Sequence, residues 1–123
     1  MKIEHFEDIE GWTLGRKLAN LIYSFTERTP FAKDFGLRDQ IQRAAGSVMH
    51  NIAEGFDAGS NPEFARFLGF SKRSCTEVQS ELYLASDRGY ISEEQFREAY
   101  QLANEAKGAV GGFIRYLQSN PKP

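Results

Sequence analysis

Three breaks dictate what this chain can fold into. Thr29-Pro30, the run Asp57-Ala58-Gly59-Ser60-Asn61, and Gly89 each stop a helix, and between them apolar residues recur at three- and four-residue steps. Proline pushes the residue before it out of helical geometry. Glycine supplies the left-handed residue that closes a helix. Asn61, Pro62 and Glu63 read as a cap, a first helical residue and an acid at the positive end of a helix dipole. Ser92 and Gln95 form a capping-box pair. The punctuation predicts helices at about residues 10–27, 37–55, 62–88 and 93–118, a loop over Phe31 to Gly36, and one domain spanning 1–123.

The stripes between the breaks complete the architecture. Leu14, Leu18, Leu21, Ile22 and Phe25 share one face of the first helix, with Trp12, Ala19 and Tyr23 as a weaker second stripe. Ile41, Ala45, Val48 and Ile52 line the second helix. Phe64, Phe67, Leu68, Ser71, Cys75, Val78, Leu82 and Ala85 line the third, and Phe96, Tyr100, Ala103, Val110, Phe113, Ile114 and Leu117 the fourth. Four helices joined by short loops are best satisfied by an antiparallel, up-down-up-down, all-α four-helix bundle. Mid-helix Gly46 costs about 1 kcal/mol against alanine, which a close helix–helix approach would offset.

Composition narrows the function. Fifteen Lys and Arg against seventeen Asp and Glu leave a net charge of -2, which argues against a strongly basic nucleic-acid-binding domain. Ten phenylalanines in 123 residues exceed what a small interior holds comfortably, so some are expected to face a partner chain. The lone Cys75, an acidic N-terminus without an apolar run and the lack of a membrane-length apolar segment predict a soluble, cytoplasmic protein.

Polar residues on the second helix form the most informative row. Arg43, Ser47, Asn51 and Glu54 share a face, and the third helix carries Ser74, Glu77 and Glu81 in a comparable row. Folding one helix back on the other predicts an Arg43–Glu77 ion pair, with Ser47, Asn51 and Ser74 completing a partly buried network. Such a network can fix helix register or form a ligand pocket. The register role is favoured, because no nucleophile, base and orienting group occur together. His50 and Glu54 are four apart, but a di-iron bundle needs several more inward carboxylates and paired histidines, so no metal and no cofactor are expected. His5 has no evident partner. Cys75 lies in the core stripe, where a buried inert thiol is the commoner state.

Basic residues interleave with rings in Arg66-Phe67-Leu68-Gly69-Phe70-Ser71-Lys72-Arg73, a pattern able to touch a phosphate backbone while rings stack on bases. Arg16, Lys17, Arg38, Arg66, Lys72 and Arg73 are the candidate nucleic-acid contacts; Glu63, Glu77, Glu81 and Asp87 dilute their field. Gly108, Gly111 and Gly112 fall within a helix and make no phosphate cradle. The chain reads as a non-enzyme.

The segment Gly36-Leu37-Arg38-Asp39-Gln40-Ile41-Gln42-Arg43-Ala44-Ala45-Gly46-Ser47-Val48-Met49-His50-Asn51-Ile52-Ala53-Glu54-Gly55 strongly resembles the signature of bacterial proteins encoded in intervening sequences of large-subunit ribosomal RNA genes. Phe64, Phe67-Leu68, Ser74, Glu77, Leu82 and Gly89-Tyr90-Ile91 are similar to that family's second block, and Phe6-Glu7-Asp8-Ile9 with Trp12 to its opening. Gly46 stands where a larger apolar residue is usual, and Arg73 where glycine is common. The resemblance implies a four-helix bundle that assembles into a ring-like homopentamer. It also implies kinship with the accessory proteins of diversity-generating retroelements, basic pentamers that bind nucleic acid and reverse transcriptase. Five copies of this chain would carry roughly -10, so any RNA or DNA contact would need local clustering of basic groups. The expected role is that of a self-associating scaffold or interaction protein, with RNA as a candidate partner and a retroelement-like nucleic-acid-binding accessory role as the alternative.

Overall fold

The computed structural model describes residues 3–119, and these form an all-α four-helix bundle. A 3-10 turn at Phe6–Asp8 leads into α1 (Glu10–Thr26). A second, at Phe31–Lys33, precedes α2 (Phe35–Phe56), after which come α3 (Asn61–Asp87) and α4 (Glu93–Ser119). Asn120 to Pro123, expected to fray, lie outside the described residues.

The helix ends follow local chemistry, with two changes from the sequence reading. Helix α2 starts at Phe35 rather than near Leu37, because the Asp34 carboxylate caps it by accepting from the Leu37 N–H at 3.2 Å. At α3 the cap is Ser60, not Asn61: the Ser60 hydroxyl accepts from the Glu63 N–H at 3.3 Å, and Asn61 is already helical. Gly89 adopts φ +76°, where a side chain would be strained. The Ser92 N–H donates to Gln95 Oε1 at 2.8 Å, and the Gln95 N–H to Ser92 Oγ at 3.1 Å, across the start of α4.

Each helix packs on two others in the cyclic order α1, α2, α3, α4 and back to α1. The larger part of the core gathers Leu18, Ile22, Ile41, Val48, Val78 and Leu82 around the alanines 45, 99, 103 and 106. A smaller part, at the end closed by the Phe6–Asp8 turn, holds Ile9, Ile52, Phe64, Leu68, Val110 and Leu117. Tyr90 ties the other end together. Its ring stacks on Phe31 at 5.0 Å, and its hydroxyl donates to Asp34 at 2.9 Å.

Close helix approach occurs at glycines other than the expected one. A Cβ added at Gly46 would meet only the ring of His50, on the same helix, no nearer than 3.6 Å. At Gly11 and Gly15 it would lie 2.9 Å from Val110 and Val48, and at Gly55 2.8 Å from both Phe64 and Phe67. These glycines let α1 sit against α4 and α2, and α2 against the first two turns of α3.

Candidate functional site

The seam between α2 and α3 assembles from small polar groups. Ser71 Oγ donates to the Val48 carbonyl at 2.7 Å, inside the core. One turn further on, Ser74 Oγ donates to Ser47 Oγ at 3.0 Å, which also accepts from Asn51 Nδ2 at 2.7 Å. Asn51 Nδ2 reaches the Ser47 carbonyl at 2.9 Å as well. Ser47, Asn51 and Ser74 are therefore one hydrogen-bonded unit. Because Val48 lies mid-helix, the Ser71 bond is an additional one, and Ser71→Ala should lower stability by about 1 kcal/mol, measured by urea denaturation.

The remaining seam candidates lie elsewhere. Arg43, Glu54 and Glu77 are exposed. The ion pairs among the described residues are His5–Asp8, Arg38–Asp39, Arg66–Glu63 and Arg97–Glu93, so the expected Arg43–Glu77 pair does not form. Glu77 instead stands beside Glu81, one turn along its own helix, where the two carboxylates repel. Glu54 borders a shallow hollow with Phe6, Ala53, Asp57 and Phe67.

Glu81 is the residue whose environment the sequence reading missed. It is 8% exposed rather than a solvated diluting charge, and its Oε1 is buried without a hydrogen-bond partner. Burial first, then the charge of nearby Glu77, pushes its carboxyl up to about 8. A signal was present: Glu81 follows Ser74 by seven residues, two helical turns, and so shares its inward face. Two other buried polar groups have hydrogen-bond partners. Thr26 accepts from Gln42 at 2.8 Å, and Gln79 donates to Asn104 at 2.8 Å.

The six basic candidates fall in three places. Arg16 and Lys17 border a hollow on the α1–α4 edge with Glu98, and Arg16 lies over Trp12 at 5.8 Å. Arg38 sits at the start of α2, 2.9 Å from Asp39 and 4.8 Å over the Phe35 ring. Arg66, Lys72 and Arg73 belong to α3, where Phe67 and Phe70 meet edge to face at 6.0 Å. Arg66 covers both rings at 5.3 and 5.2 Å, and Arg73 covers Phe70 at 5.1 Å, which builds a cationic aromatic ridge.

On the α1–α4 edge lies a groove of about 470 Å³, walled by Ile3, Ile9, Phe113 and Tyr116 and floored by Gly108, Ala109 and Gly112. Asp8 and Glu10 supply its charge. The Asp8 carboxylate accepts from the Glu4 and His5 N–H groups, both at 3.0 Å, and these bonds hold it below the usual carboxylate range. Among the described residues no group of three or more His, Cys, Asp or Glu is placed to hold a metal ion, and no helix is long and apolar enough to cross a membrane. Burial pushes the Cys75 thiol up to about 11, which keeps it protonated and unreactive at neutral pH.

Comparison with known proteins agrees with this architecture. Residues 7–112 match the sequence model of a family described as 23S rRNA-intervening sequence protein. A crystal structure of a protein of unknown function from the S23 ribosomal protein family, from Bacteroides thetaiotaomicron, superposes with a TM-score of 0.77 at 24% identity. It covers 85% of this chain and 97% of its own, and at that identity it speaks to fold alone. No curated protein matches.

Proposed function

Since the chain belongs to the 23S rRNA-intervening sequence protein family, we propose that it is a non-enzymatic, self-associating bundle serving as a cytoplasmic scaffold or interaction protein. The carrying observation is the apolar surface left outside the core. Phe35 is 63% exposed, Tyr83 and Tyr116 each 55%, and Leu84 50%. Large rings in water cost hydration free energy that a second protein surface removes. The up-down-up-down, antiparallel order is supported by the seam, where Gly55 lies beside Phe64 near the connecting turn and Ser47 meets Ser74 further along. A ring-like homopentamer is the assembly this reading expects. Light scattering at micromolar concentration should give a mass several times 13.9 kDa; a monomer of 13.9 kDa would sink the reading.

The second reading, nucleic-acid binding of the retroelement-accessory kind, draws support from the Arg66–Phe67–Phe70–Arg73 ridge. Rings flanked by guanidinium groups stack on bases and meet phosphates. Mobility shifts with single-stranded RNA across a salt series test it, because phosphate-driven binding must weaken steeply as salt rises.

A further inference from the structure

We propose that the groove on the α1–α4 edge receives the Arg66–Phe70–Arg73 ridge of a second copy of this chain, so that copies join head to tail. The inference rests on the self-association reading and supplies its geometry.

The two surfaces are opposite in charge. The groove is concave and largely apolar, and its charged lining groups, Asp8 and Glu10, are both acids. Its floor is open because glycine stands there: a Cβ added at Gly108 would meet nothing within 4 Å. The ridge is convex, aromatic and cationic. Arg66 is partly neutralised by Glu63 at 2.6 Å, whereas Arg73 has no ion pair among the described residues and is held over the Phe70 ring at 5.1 Å. A planar, weakly hydrated guanidinium resting on a ring is the kind of cation that can enter an apolar groove and meet a carboxylate there.

The ridge and groove of one chain cannot meet each other. Phe67 shares a hollow with Ala53 and Glu54 of α2, which puts the ridge by the α2–α3 edge. The cyclic packing order sets that edge opposite the α1–α4 edge. Contact between the two is therefore heterologous, and copies added this way either close into a ring or grow as a filament.

The test uses two variants chosen to leave the core untouched. Gly108→Arg fills the groove and offsets half of its negative charge from a position with free space. The double substitution Arg66→Glu with Arg73→Glu reverses the ridge at exposed positions. Both should keep wild-type helicity by circular dichroism, and each alone should weaken assembly about tenfold or more, leaving monomers at micromolar concentration. Mixed together, each variant keeps one intact surface, so a one-to-one pair of twice the chain mass should form and grow no further. If the single variants keep the wild-type mass, or the mixture stays monomeric, the proposal is overturned while self-association stands. If wild type is itself monomeric, both fall. A ridge variant that loses RNA binding yet keeps its mass assigns the ridge to RNA and also overturns the proposal.

Discussion

Replacing Glu81 with glutamine should stabilise the protein at pH 8 and flatten its stability between pH 5 and 8. Glu81 is 8% exposed, one of its oxygens has no partner, and Glu77 lies beside it. Its carboxyl is pushed from an ordinary value of 4.5 to about 8 in the folded chain, chiefly by burial and next by the charge of Glu77. The folded state therefore holds the proton more tightly than the unfolded state. Its stabilising contribution is complete below pH 4.5 and is lost as pH rises through about 8. From 4.5 to about 8, at about 1.4 kcal/mol per pKa unit, the loss is on the order of 5 kcal/mol. Glutamine mimics the neutral acid at every pH, so the variant should gain that amount at pH 8 and almost nothing at pH 4.5. Glu77→Gln should recover the smaller share that comes from charge repulsion. Thermal melts at half-unit pH intervals measure both, and a variant with the wild-type pH slope would contradict the assignment.

Two glycine-to-alanine substitutions on α2 should act in opposite directions. At Gly55 the new methyl would lie 2.8 Å from Phe64 Cδ1 and from Phe67 Cβ. A Cβ is fixed to the backbone and cannot swing aside, so either α3 moves or the contact stays strained. Gly55→Ala should cost about 2 kcal/mol net, and Gly55→Val more, even though alanine favours a helix over glycine by about 1 kcal/mol. At Gly46 only His50 is near, at 3.6 Å, and Gly46→Ala should stabilise by about 0.5–1 kcal/mol. Urea denaturation of the pair gives the two signs directly; equal signs would refute the contrast.

Features set by neighbouring residues were readable in advance. The Ser92–Gln95 box and the turn at Gly89 depend on atoms a few residues apart, and they stand where the sequence put them. Caps were readable only to within a residue. Ser60 and Asn61 are both good cap formers, and the fold uses Ser60. Inter-helix partners were harder. Arg43 and Glu77 have opposite charge and comparable level, yet both point to water, where an ion pair gains little over separate hydration.

The sequence by itself determined that this chain makes four helices, where they break and which stripe of each is apolar. Sterics at proline and glycine, local capping bonds and the helical period all act within a few residues. The rotation of each helix about its axis was decided only when all four packed together. That rotation turned Glu81 inward beside Ser74 while leaving Glu77 outside, and it pressed Gly55, not Gly46, against the next helix. It also left Arg66 and Arg73 stacked on rings at one edge while an acidic groove opened at the other. A stripe specifies which side of a helix is buried to within a residue or two; the neighbouring helix selects which flanking side chain goes in with it.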